Sequence, residues 1–149
     1  MSRHALEIPG YEQQSVWGYD PATGDLFAQL WRNGSNSDEP EIWIIEQDLE
    51  SLYVRIALSF EPPKDFDEVF FTLAEQDPPE GRLRTMFAAF ISQSSDPRFV
   101  QRAAQSPEQW VRFEAQHNPH YEPTQPELIQ DASPGQRRGR GWWSRLFGR

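Results

Sequence analysis

Residues 15–32 read SVWGYDPATGDLFAQLWR, and the reading of this stretch decides the fold. Two aromatic, β-prone runs flank Asp20-Pro21-Ala22-Thr23-Gly24. Proline presets φ for a turn and glycine takes positive φ at no steric cost, so the spacing predicts a β-hairpin. In the second run Leu26, Ala28 and Leu30 alternate with Phe27, Gln29 and Trp31. The first set is expected to face a core, and the face with Phe27 and Trp31 is apolar enough to be covered as well. After a polar loop, Asn33 to Asp38, the run Glu41-Ile42-Trp43-Ile44-Ile45-Glu46 predicts a third short strand. Three antiparallel strands with one covered face can be stable.

Working outward, residues 49–60 fit two templates. Leu49, Leu52, Tyr53, Ile56, Ala57 and Phe60 form a helical stripe, whereas Leu52, Val54, Ile56, Leu58 and Phe60 also suit an alternating strand. Helix is preferred, because Asp48 is a good N-cap and Pro62-Pro63 ends the segment. Phe66, Val69, Phe70, Leu73 and Ala74 share one helical face, and Leu83, Met86, Phe87, Phe90 and Ile91 share another. Two shorter helices are expected near 97–104 and 107–116, each opened by a cap-like residue before proline, Asp96-Pro97 and Ser106-Pro107. The fold class is therefore α+β: a small antiparallel three-stranded sheet followed by three to five packed helices and a disordered C-terminal tail. We divide the chain into one globular domain at 1–117, a proline-rich linker at 118–136 and a basic-aromatic tail at 137–149.

Composition bounds the function classes. The chain has 149 residues, enough for one unstapled core. Only 37% of residues are hydrophobic, but ten Phe, six Trp and four Tyr compensate, each burying about 150–250 Å² when inside. There is no cysteine, which excludes disulfides, thiolate zinc sites and cysteine nucleophiles. With no apolar run long enough for a signal peptide or a membrane span, a cytoplasmic location is expected. The net charge is −9, and Arg137, Arg138, Arg140, Arg145 and Arg149 carry five of the 14 basic residues, so the body is more acidic still. An acidic body argues against nucleic-acid binding, which needs Lys and Arg opposite phosphates, and it suits a partner with a basic surface.

The tail is the sharpest feature. As a helix it would place Trp142, Trp143, Leu146 and Phe147 on one face, with Arg137, Arg138 and Arg140 before them and Arg145 turned away. Such a segment suits docking in a groove of another protein, or lying on an anionic membrane surface. It could also fold back on its own acidic body, since a flexible linker of about twenty residues reaches about 25 Å. On the sheet, Trp17, Tyr19, Trp31 and Trp43 are read first as core and second as an aromatic docking face.

Catalytic signals are sparse. Glu114, His117 and His120 lie at spacings that invite a metal, but Pro119 breaks the helix between the two histidines, and a polar helix end explains them equally well. Asp65, Asp67 and Glu68 sit in a first helical turn, where acids are favoured anyway. No G-x-S-x-G, P-loop or dinucleotide fingerprint occurs, so no catalytic residue and no cofactor is implied. The sequence leans towards a non-enzymatic interaction or adaptor protein whose main partner is another protein. A peripheral membrane protein and an enzyme with an acidic or metal-assisted site are the alternatives.

Two resemblances accompany this reading. Gly18-Tyr19-Asp20 with Phe27-Ala28-Gln29, followed by Ile42-Trp43-Ile44, resembles a hairpin pattern in small uncharacterised bacterial proteins over about residues 15–77. It implies a sheet-plus-helix fold and no known activity. Ser106-Pro107, Trp110-Val111-Arg112, Asn118-Pro119 and Pro126-Glu127-Leu128-Ile129 resemble helical repeats of the leucine-rich-variant and HEAT type. Only one copy is present, and such folds need about three, so it is a local packing style that implies protein binding.

Overall fold

In a computed structural model describing residues 1–123, the chain forms four strands followed by five helices. The expected hairpin is present: β2 (Val16–Asp20) pairs antiparallel with β3 (Asp25–Leu30), and the turn between them uses Gly24 at φ +79°. β4 (Ile42–Glu46) pairs with β3 as the third strand. The sheet has a fourth member that was not expected. β1 (His4–Ala5) pairs with β2, so the order is β1-β2-β3-β4 and all neighbours are antiparallel. Two residues are too short a run for a periodic signal, and pairing with a strand already in place is what makes this segment extended.

Strand alternation sorts the side chains onto two faces. Trp17, Ala28 and Ile44 lie in register on the inner face, with Tyr19 and Leu26 beside them, and all are buried. Gly18, Phe27 and Ile45 lie in register on the outer face, as do Gln29 and Trp43. Gly18 is required by close approach: a Cβ there would stand 1.9 Å from the carbonyl oxygen of Ser2. The N-terminal segment crosses at this point, held by the Ser2 N–H donating to the Tyr19 carbonyl (3.0 Å) and the Tyr19 N–H donating to Ser2 Oγ (3.0 Å).

The helices cover the inner face. α1 (Leu49–Leu58) settles the ambiguous segment as helix, and Asp48 caps it by accepting from the Ser51 N–H. Its Arg55 forms an ion pair with Glu46 of β4. α2 (Phe66–Glu75) is capped by Asp65, and α3 (Gly81–Gln93) follows it. α4 (Pro97–Ala104) starts on the Asp96-Pro97 cap. α5 (Gln109–Gln116) begins two residues after Pro107, because Ser106 does not cap it from the N-cap position. Instead Ser106 Oγ accepts from the Glu108 N–H and donates to Glu75, which also receives both guanidinium nitrogens of Arg102 at 3.0 and 2.9 Å.

The core is aromatic at its centre. Phe70 is fully buried and meets Tyr53, Phe71, Phe87, Phe90 and Phe99 with ring centroids 5.0–5.6 Å apart, mostly edge-on or tilted. The buried hydrophobic residues of the core run from Leu6 to Ala115, so a chain ending at Gln136 keeps all of them. Asn118 is also buried (3% exposed); its side-chain amide donates to the carbonyls of Ile91 and Ser94, closing the C-terminal end of α3. The tail read at 137–149, and most of the linker, lie outside the described residues.

Candidate functional site

Among the described residues no helix lies over the outer face of the sheet. Trp43 is 59% exposed and Ile45 54% exposed, and with Met1 they surround Phe27, which forms the floor of a shallow cleft of about 230 Å³. Phe27 itself is 8% exposed, yet it stands outside the main core cluster, since it lies on the other side of the sheet. Arg3 lies over its ring at 5.8 Å. The rim is acidic and polar: Asp20, Asp25, Thr23 and Gln29. β4 explains why this face is apolar. In Ile42-Trp43-Ile44-Ile45 both alternating sets are hydrophobic, so one set packs on the helices and the other must face outward.

The four sheet aromatics do not share a surface. Trp17 (1% exposed) and Tyr19 (9% exposed) are on the inner face; Trp17 packs near Phe87, and Tyr19 receives a hydrogen bond from Arg82. Trp31 lies half-buried just past the end of β3, its ring N–H without a partner among the described residues. Of the four, Trp43 alone lines this cleft. Its companions there are Phe27, whose side of β3 is apolar in the sequence, Ile45, which the double apolar alternation in β4 signals, and Met1, which no local pattern marks.

Glu114, His117 and His120 occupy the exposed end of α5 and the turn after it. His117 packs at a tilt against Phe113 (4.2 Å between centroids), and its Nδ1 donates to the Phe113 carbonyl at 2.8 Å. Among the described residues no group of three or more His, Cys, Asp or Glu is placed to hold a metal ion. No described helix is long and apolar enough to cross a membrane.

A second concavity lies across the molecule, where the N-terminal ends of α1, α2 and α4 meet the C-terminal end of α3. Glu50, Asp67 and Asp96 stand around a floor of Tyr53, Phe90 and Phe99, with Ser94 and Ser95 as one wall, enclosing about 220 Å³. Burial, reinforced by Asp65 and Asp96, raises the Asp67 carboxyl above its usual range despite Arg98 nearby. Burial beside Glu50 and Asp67 likewise pushes the Tyr53 hydroxyl up to about 12. In the sequence Asp67 and Asp96 stand only as separate helix-start acids and Glu50 is not singled out, because their convergence depends on how three helix ends pack.

No family model, no curated protein and no solved structure matches the chain.

Proposed function

We propose that the protein is a non-enzymatic interaction module that presents the outer face of its sheet to another protein, with the Arg/Trp segment at 137–149 as a second docking element. The observation that carries this reading is the apolar face built by Phe27, Trp43 and Ile45, which no described helix covers. A tryptophan and an isoleucine held more than half exposed by a rigid strand keep contacting water unless a partner removes them from it. Full burial of such side chains favours association by about 1.5–3 kcal/mol each. The rim carboxylates Asp20 and Asp25 favour a partner that sets basic groups around an apolar anchor. Two docking elements on one chain raise the effective concentration of each at its target.

Photo-crosslinking in the source cell tests the reading. A photoreactive residue at position 43 is compared with one at Gln101 on α4, away from the sheet. A discrete adduct formed from position 43, absent from position 101 and lost on Ile45→Lys, is the expected result. An adduct of twice the chain mass would mean that the partner is a second copy. Equal labelling from both positions would overturn the proposal.

A further inference from the structure

The acidic concavity between the helix ends holds a feature that its own chain leaves unused. Tyr53 is 6% exposed, its ring held edge-on by Phe70 and Phe90, yet its hydroxyl opens into the concavity and meets no hydrogen-bond partner among the described residues. The ring is buried while the hydroxyl oxygen stays accessible from the concavity, where a ligand or water can supply its partner. Around it stand Glu50 from α1, Asp67 from α2 and Asp96 before α4. Asp96 is engaged in capping Arg98, but none of the three carboxylates forms an ion pair among the described residues.

The lining selects the ligand. The three carboxylates are not grouped closely enough to bind a metal ion together. They surround an aromatic floor, so the complementary shape is a flat, delocalised cation that stacks on rings and directs several N–H donors outward. Arginine's guanidinium has this form; the ammonium of lysine is a compact point charge without it.

The position selects the source. Asn118, whose amide donates to the Ser94 carbonyl at 2.9 Å, fixes the chain at the wall of the concavity just before it leaves the described residues. Thirteen residues, 124–136, separate Pro123 from Arg137. Thirteen residues can extend to at most about 45 Å, so Arg137, Arg138 and Arg140 lie within covalent reach of the concavity. We propose that this concavity is a binding site for an arginine guanidinium and that its occupant is the chain's own segment 137–149, which closes the tail onto the acidic body. A partner that captures the tail must then compete with this contact. The inference stands apart from the outer-face reading: Trp43 crosslinking tests that face alone, and neither result decides the other.

The test is backbone amide NMR on the full chain and on a chain ending at Gln136, which retains the whole core. The amides of Ser94, Ser95 and Asp96 should differ between the two. A synthetic peptide of residues 137–149, added to the shorter chain, should move them towards their full-chain positions. The triple variant Glu50→Gln, Asp67→Asn, Asp96→Asn removes charge while keeping shape and the cap, and should weaken peptide binding by about tenfold or more. Replacing the five tail arginines by glutamine in the full chain should return those amides to the short-chain positions. Should the triple variant fail to fold, a salt titration of peptide binding to the unaltered short chain serves instead, and affinity should fall steeply as the Debye length shrinks. Coincident spectra of the two chains at 94–96 would overturn the proposal, even if the peptide bound when added separately. Salt-independent binding would overturn it too, as would peptide shifts confined to the Trp43 face.

Discussion

Gly18→Ala gives the most direct check on how the outer face is assembled. Judged by backbone preference alone, alanine in a strand interior should be better than glycine by about 0.5–1 kcal/mol. The structure reverses the sign. The new methyl would stand 1.9 Å from the Ser2 carbonyl oxygen and 3.1 Å from an edge carbon of Phe27. The first distance is far inside van der Waals contact, and a backbone oxygen cannot turn aside as a side chain can. β2 is held by both neighbours, so the cheaper response is for residues 1–3 to lift off. That surrenders the two Ser2–Tyr19 hydrogen bonds with backbone donors, worth about 1 kcal/mol each, and the cover that Met1 gives Phe27. The expected net loss is about 1–3 kcal/mol by urea unfolding, with the slope unchanged. In a chain beginning at His4 the same substitution should be neutral or stabilising, because the obstructing carbonyl is gone. If Gly18→Ala is as stable as the parent, or if the loss persists without residues 1–3, the crossing of the N-terminal segment over Gly18 is refuted.

Two further outcomes follow from the core and from the acidic concavity. Phe70→Ala removes the ring that five others touch and should cost about 3–5 kcal/mol, read by chemical denaturation; a loss below about 1 kcal/mol would mean that the aromatic centre is not packed as described. Asp67→Asn, made in the chain ending at Gln136, should be stabilising at neutral pH. Burial and the neighbouring acids Asp65 and Asp96 raise this carboxyl, outweighing Arg98 and the helix start, which both favour the anion. The folded state therefore binds the proton more tightly than the unfolded state. Its contribution to stability is present below the ordinary carboxylate range and is lost as pH rises through the raised value. The advantage of the amide variant should accordingly disappear on acidification, and melting curves across that range would show it; an advantage independent of pH would refute the cause.

Local chemistry made much of the fold legible in the sequence. The Pro–Gly turn between two alternating runs placed β2 and β3, because turn dihedrals and strand period are properties of a few adjacent residues. Asp48, Asp65 and Asp96 marked helix starts for the same reason: a cap needs only its own carboxylate and an N–H two or three residues on. β1 was not legible, since its extended conformation comes from pairing with β2 and not from His4 and Ala5 themselves. Nor was the division of the aromatics. Trp17 and Trp43 look alike in the sequence, but the register that sets Trp17 beside Ala28 and Trp43 beside Gln29 sends them to opposite sides of the sheet. The acidic concavity was hidden most completely, because Glu50, Asp67 and Asp96 belong to three different helix starts. The sequence by itself determined the hairpin, the helices after residue 60 and the charge split between body and tail, all set by neighbours along the chain. Only the tertiary structure decided which apolar face stays uncovered and which carboxylates meet, because both depend on strand register and helix packing between residues far apart in sequence.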